Sequence, residues 1–143
     1  MEWKIFFLVA RIKQVGDRVL ERIMMQKNNK TFNGAQGRIL YVLWKRDGIP
    51  IKELSKQTGL AMSSLTTMLN RMETTGLIRR QHGGKDRRKV LIFLTEKSRM
   101  LELDYKCLMN EINSIYYKDF DMWEIMVFEG YLRRILDNME DML

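Results

Sequence analysis

One cysteine, one proline and one histidine stand among 143 residues, and each scarcity removes a class of explanation. A lone cysteine, Cys107, cannot close an internal disulfide or build a cysteine-based metal cluster, and a chain without disulfides fits a reducing compartment. A single histidine, His82, leaves no histidine-based ligand set, and neither a nucleophile motif nor a phosphate-cradling glycine loop is present. Nothing in the sequence therefore supports an enzyme, a metal site or a cofactor. Long apolar runs are missing too. The longest near the start, Ile5 to Ala10, ends at Arg11 after six residues, too short for a signal-peptide core or a membrane span. A cytoplasmic protein is expected, with no membrane partner.

What is present is a globular composition, 45% hydrophobic and 30% charged, without repeats, low-complexity tracts or flexible linkers. The length suits one domain, 1–143, with a real core. A formal net charge of +7 points to an anionic partner, nucleic acid ahead of a membrane surface.

The hydrophobic periodicity predicts mostly helix. From Glu2 to about Asn29, Ile5, Leu8, Ile12, Val15, Val19, Leu20 and Ile23 recur at helical spacing, while Phe6, Phe7, Val9, Met24 and Met25 widen the apolar coverage beyond what one neighbouring helix needs. That breadth predicts a long helix that also meets a second chain. Asn33 can cap a helix through Ile39, Leu40, Leu43 and Trp44, stopped by Gly48 and Pro50. IKELSKQTG forms two turns closed by Gly59, and MSSLTTMLNRMETTG forms another helix ended by Gly76. Two helices joined by a short glycine-containing turn have helix-turn-helix dimensions.

The second of these helices has two unlike faces. Leu65, Met68, Leu69 and Met72 converge on one side and must face the core. Opposite lie Ser63, Thr67 and Asn70, flanked by Ser64, Thr66 and Arg71. Ser, Thr and Asn are poorer helix formers than the Glu and Lys an ordinary exposed face favours. Short uncharged hydrogen-bonding groups, with one arginine, suit close approach to base edges and phosphates. An extended run from Leu77 and Ile78 and another, Val90 to Leu94, then enclose RRQHGGKDRRKV (79–90), which has six cations, one carboxylate and the Gly83-Gly84 pair. That is a β-hairpin with a turning tip, a basic wing following a recognition-type helix. Lys85, Arg87 and Lys89 are placed to meet phosphate, and His82 is expected at the solvated or phosphate-facing tip.

Beyond the wing, Thr95 can cap one helix carrying Leu101, Tyr105, Leu108, Ile112 and Ile115, and Asp121 with Glu124 forms a capping pair before another. In that last helix Ile125, Phe128, Leu132, Ile135, Leu136 and Met139 form the stripe, and Gly130 suggests close helix approach. Cys107, among apolar neighbours, reads as a buried structural thiol.

This order of parts resembles the MarR family of bacterial transcription regulators. The likeness runs from Phe32 to about Leu101. It rests on AQGRILYVL, on IKELSKQTGLAMSSLTTMLNRMETTGLIRR, on Asp86-Arg87-Arg88 in the wing and on Leu94-Thr95 after it. It implies a winged helix-turn-helix (33–94) flanked by helical dimerisation segments (1–32 and 95–143), mostly α with a small β-hairpin. It further implies a homodimer binding double-stranded DNA at a pseudo-palindromic operator, usually as a repressor. Ser63, Ser64, Thr66, Thr67, Asn70 and Arg71 fall on the family's major-groove helix. Arg88 falls where the family places an arginine into the minor groove, with Asp86 as its orienting partner. In the family, small, often aromatic anions bind beside the dimer helices. Trp3, Tyr41, Trp44 and Trp123 are candidates to line such a pocket, although core packing explains each of them as well. Two departures stand out: Ala61 occupies a position where a capping Ser or Asp is common, and Ser98 replaces a glycine. The competing reading is a winged-helix protein-interaction module that does not bind DNA; it has no need of a cation-dense wing beside a Ser/Thr helix.

Overall fold

The computed structural model describes residues 4–83 and 85–143, and for Arg87 the backbone alone. The expected helix start at Glu2, the candidate pocket residue Trp3 and the tip residue Gly84 lie outside the described residues. Two compact units are formed, Met1–Leu108 and Met109–Leu143.

The first unit opens with helix α1, Ile5–Gln26, which ends earlier than the apolar spacing suggested. Asn28 adopts a left-handed conformation with φ of 52°. The Asn28 and Asn29 amides then turn back to the carbonyls of Met25 and Met24, at 3.0 and 2.9 Å. This is the double closure that ends many helices, and asparagine tolerates it better than most side chains. Ile23 and Met24 are buried, whereas Phe6 and Phe7 are 76% and 74% exposed. Among the described residues, the apolar side chains of its first half stay exposed.

Helix α2, Gly34–Lys45, starts at the expected cap: Asn33 accepts from the Gln36 amide, and the Gln36 side chain accepts from the Asn33 amide. Its Ile39, Leu40 and Leu43 are fully buried. A short strand follows, β1, Ile49–Pro50, which the sequence reading did not anticipate. Two residues are too few to show a period, and proline is tolerated there because the strand lies at the sheet edge. Gly48 just before it has φ of 69°, and a Cβ there would stand 2.6 Å from the Phe93 ring.

Helices α3, Ile51–Thr58, and α4, Met62–Thr74, form the helix-turn-helix. Gly59 closes α3 in the left-handed region, and the Ser55 hydroxyl donates to the Leu60 carbonyl at 2.7 Å, stiffening the turn. Leu65, Leu69 and Met72 of α4 are fully buried, and Met68 is half-buried. Strands β2, Ile78–Gly83, and β3, Asp86–Leu94, make the wing, and the sheet order is β1-β3-β2. Ile78 pairs with Leu94, Ile92 with both Arg80 and Ile49, and Ile49, Ile78 and Ile92 close the core against α2 to α4.

Thr95 caps a helix as expected, but only a single turn, α5, Glu96–Arg99. The long helix predicted from Thr95 is broken at Met100 and Leu101 before α6, Glu102–Tyr116, begins. The Ser98 carbonyl accepts both the Leu101 amide at 3.2 Å and the Trp44 indole N–H at 3.0 Å. This tight local bond and the long-range indole bond displace regular α-helical pairing there. Ser98 itself is fully buried and completes a capping box with Thr95. The departure from glycine at that position therefore leaves the helix start intact.

The second unit holds the end of α6 and helix α7, Met122–Glu140, which begins with the expected Asp121–Glu124 box. The Tyr117 hydroxyl donates to Glu129 at 2.7 Å, and desolvation together with that bond pushes its pKa up to about 12. No α7 residue is buried: Ile125 is half-buried, and Phe128, Leu132, Ile135, Leu136 and Met139 of the stripe are exposed. Nothing lies within 4 Å of a Cβ built on Gly130, so the close helix approach suggested for it is not found among the described residues. Among those residues no helix is long and apolar enough to cross a membrane.

Ala61 occupies the cap position of α4 with extended backbone angles and no side-chain bond to the helix. Ala61→Ser should supply that missing acceptor and raise stability by about 1 kcal/mol, measured by urea unfolding. An unchanged midpoint would contradict the cap assignment.

Candidate nucleic-acid interface

Helix α4 turns one face to the core and the other to solvent. Ser63, Ser64, Thr66, Thr67, Asn70 and Arg71 are all exposed on it. The two threonines are not equivalent to free hydroxyls. Thr66 donates to the Met62 carbonyl at 2.9 Å and Thr67 to the Ser63 carbonyl at 3.3 Å. Each has spent its only proton on its own helix, so it presents acceptor lone pairs and a methyl group outward. A surface that accepts and offers methyl contact at Thr66 and Thr67 suits base-edge donors and the thymine methyl.

The wing is less regular than a simple hairpin. Pairing runs evenly from Ile78 opposite Leu94 to His82 opposite Val90, then jumps so that Gly83 faces Asp86. Arg87, Arg88 and Lys89 are the extra residues of β3 in that jump. A bulge of this kind bends a strand and re-aims its side chains. Lys85, Asp86, Arg88 and Lys89 are exposed, while the Arg87 side chain lies outside the described residues.

Asp86, expected as the orienting partner of Arg88, contacts the backbone of that residue. Its Oδ1 accepts the main-chain N–H of Arg88 at 3.0 Å. The carboxylate thus folds the backbone into a two-residue turn of the kind Asp and Asn favour. It sets where the Arg88 backbone stands, and the guanidinium extends from a fixed base.

Arg79 and Arg80 of the stretch are committed to the protein. Arg79 stacks over the Phe93 ring at 4.5 Å and donates to Gln81 at 3.0 Å. Arg80 donates from Nη2 to Asn70 Oδ1 at 2.8 Å and from Nη1 to Glu73 Oε1 at 3.4 Å. Sequence reasoning missed Arg80 because its partners lie on another element. A signal was nevertheless present: strand alternation puts position 80 on the same face as buried Ile78, and an inward-facing cation needs a partner.

Of the candidate pocket aromatics, Trp44 packs at 5.2 Å from Tyr105, and Tyr41 at 5.8 Å from the same ring. Burial, with Tyr41 beside it, raises the Tyr105 pKa. Core packing describes Trp44 well and Tyr41 in part, since Lys45 covers the Tyr41 ring at 4.5 Å while the side chain stays 43% exposed. It fails for Trp123, 72% exposed in the first turn of a helix that buries nothing. A cavity of about 350 Å³ does exist in the first unit, but other residues line it, among them Lys27, Phe32, Asp104 and Cys107. Cys107 is exposed, against the buried thiol expected. Tyr105 and Leu108 take the core-facing side of α6, and the turn of about 100° per residue carries position 107 away from them.

Helix-turn-helix, three-stranded sheet and bulged basic hairpin together define a winged helix-turn-helix protein. The chain matches the sequence profile of the MarR family over residues 32–90. It is similar to the HTH-type transcriptional regulator TtmR of Methylorubrum extorquens (strain PA1), with 33% identity over 104 residues, 73% of this chain and 49% of that protein. The chain spans about half the length of the curated relatives it matches. Among solved structures, a MarR transcriptional regulator from Methanosarcina mazei Go1 superposes with a TM-score of 0.86 at 23% identity, covering 97% of this chain and 98% of that one. A mutant MarR from E. coli complexed with operator DNA superposes at 0.80, with 23% identity over 92% and 93% of the two chains. Those two likenesses show the fold.

Exposed Cys107 should react with a chromogenic disulfide in the native protein, releasing one thiol equivalent per chain without denaturant. Reaction only after unfolding would restore the buried assignment.

Proposed function

We propose that this chain is a cytoplasmic, sequence-specific DNA-binding transcriptional regulator that acts as a homodimer on a pseudo-palindromic operator, as a repressor. The observation that carries this reading is the bulged wing. An aspartate organises its backbone, and Lys85, Arg88 and Lys89 project from it beside a helix face of Ser, Thr and Asn. A protein-binding winged helix has no use for that concentration of cations next to an uncharged hydrogen-bonding face. The operator complex of the similar E. coli protein supports the assignment.

In this reading α4 enters the major groove and reads base edges, while Arg88 enters the adjacent minor groove, where narrow A·T-rich sequence concentrates negative potential. Lys85, Arg87 and Lys89 contact phosphate. Dimerisation doubles the formal charge of +7, so release of condensed counterions supplies much of the affinity. Two recognition helices in successive grooves require a spacing of ~34 Å. The uncovered apolar residues of α1 and α7, such as Phe7 and Leu132, support a second copy as their cover. For a small aromatic or anionic effector that releases DNA, the cavity near Phe32 and Lys27 supplies a ring and an ammonium group.

In mobility-shift titrations at fixed salt, Arg88→Ala should weaken binding by more than about 1 kcal/mol, roughly fivefold. Asp86→Ala should weaken it too, whereas Asp86→Asn, which keeps an oxygen for the Arg88 amide, should bind close to the parent. Parent-like binding by Arg88→Ala would sink the wing assignment, and no binding of duplex DNA at low salt would favour a protein partner instead. By sedimentation the parent should run at twice the 17.2 kDa chain mass, and Leu132→Glu should shift it toward the single chain. A monomeric parent would contradict the dimer.

A further inference from the structure

Arg80 reaches from β2 to two residues of α4 that lie one turn apart, Asn70 and Glu73. Its side chain is 25% exposed. The guanidinium has five donors and no acceptor, so the atom of the Asn70 amide that faces it must be the oxygen. Chemistry therefore assigns the amide orientation: Oδ1 is drawn toward the wing strand, and the Nδ2 amino group is the end left for a ligand. Glu73 holds the other branch of the fork, which keeps Arg80 from swinging out as a loose phosphate contact. An unrestrained asparagine offers a donor and an acceptor side by side, the pattern that pairs with adenine in the major groove. With its oxygen engaged from behind, Asn70 offers its donor.

We propose that Arg80 is a positioning residue that fixes Asn70 as a hydrogen-bond donor toward an acceptor on DNA. This rests on the DNA-binding reading above. The acceptor is an oxygen or ring nitrogen on a base edge, as in guanine or thymine, or a phosphate oxygen. The neighbouring Thr66 and Thr67, whose protons are spent on their own helix, supply acceptors. Asn70 is then the complementary group on the same face, and Arg80 is what keeps it so.

The test is a double-mutant cycle on duplex binding with Asn70→Ala, Arg80→Met and the pair, accompanied by selection of bound duplexes from a random pool. Melting curves establish that each variant is folded, and Arg80→Lys, which keeps the charge and a donor, serves as the conservative control. Asn70→Ala should weaken binding about fivefold or more. The two losses should fall short of multiplying by about threefold or more, because Arg80 acts through Asn70. Arg80→Lys should recover part of the affinity lost in Arg80→Met. If the acceptor is a base edge, Arg80→Met and Asn70→Ala relax the same symmetric position of the selected site. If it is phosphate, both weaken binding equally across sequences and leave the selected site unchanged. Losses that multiply independently, or an Asn70→Ala protein that binds like the parent, would overturn the proposal. A parent that selects no sequence and binds no duplex would overturn the DNA-binding reading itself, and this inference with it.

Discussion

The hydroxyl of Thr95 holds together the two elements that a winged helix must keep in fixed relation. It donates to the Gly76 carbonyl at 2.5 Å, at the turn that leaves α4, and it accepts from the Ser98 amide at 3.3 Å, at the start of α5. Lys97 reaches the Thr75 carbonyl at 3.0 Å beside it. The end of the recognition helix is thereby fastened to the base of the wing on the side opposite the tip. The Asp47 carboxylate adds a second fastening: it accepts from the Leu94 amide at 2.8 Å and pairs with Arg99 at 3.0 Å. Backbone carbonyls and amides at the ends of elements are costly to leave unpaired when buried. Here satisfying them also fixes the angle between the helix and the hairpin.

On that frame the positive charge is divided between two uses. Arg79 and Arg80 are engaged by their own chain, one on an aromatic ring and one on α4. Lys85, Arg88 and Lys89 stand outward from the bulge. Asp86 among them does not cancel their charge so much as shape the chain from which they project. Such division reconciles a strongly basic segment with a stable sheet, since Arg79 and Arg80 have partners in their own chain and Lys85, Arg88 and Lys89 face solvent.

Most of the fold was legible because it follows from local rules. Asn33, Thr95 and Asp121 announce helix starts by chemistry that acts over three residues, and Leu65, Leu69 and Met72 announce a buried face by spacing alone. The exposed Ser, Thr and Asn face of α4 was legible for the same reason, since the buried stripe leaves it outward. The gaps are the long-range terms. β1 carries too few residues to show a period, and the break at Met100–Leu101 accompanies a Trp44 bond that spans 54 positions in sequence. That Asp86 would orient Arg88 was expected without naming the atoms, and the bond formed goes from the Arg88 amide to the Asp86 carboxylate. The Arg80–Asn70 contact joins a strand to a helix, and only the inward register of position 80 hinted at it. Stripes on α1 and α7 were visible as apolar spacing, but how far each stays exposed depends on packing that spacing does not report.

The central claim, that α4 and the bulged wing form one DNA-reading surface, is tested most directly by chemical footprinting of the protein on a duplex selected for binding. The account predicts major-groove protection in two patches one helical turn apart, ~34 Å, each flanked by minor-groove protection over A·T-rich sequence. The flanking protection should disappear in Arg88→Ala while the major-groove patches remain. Protection confined to one patch, or flanking minor-groove protection that persists without Arg88, would contradict it.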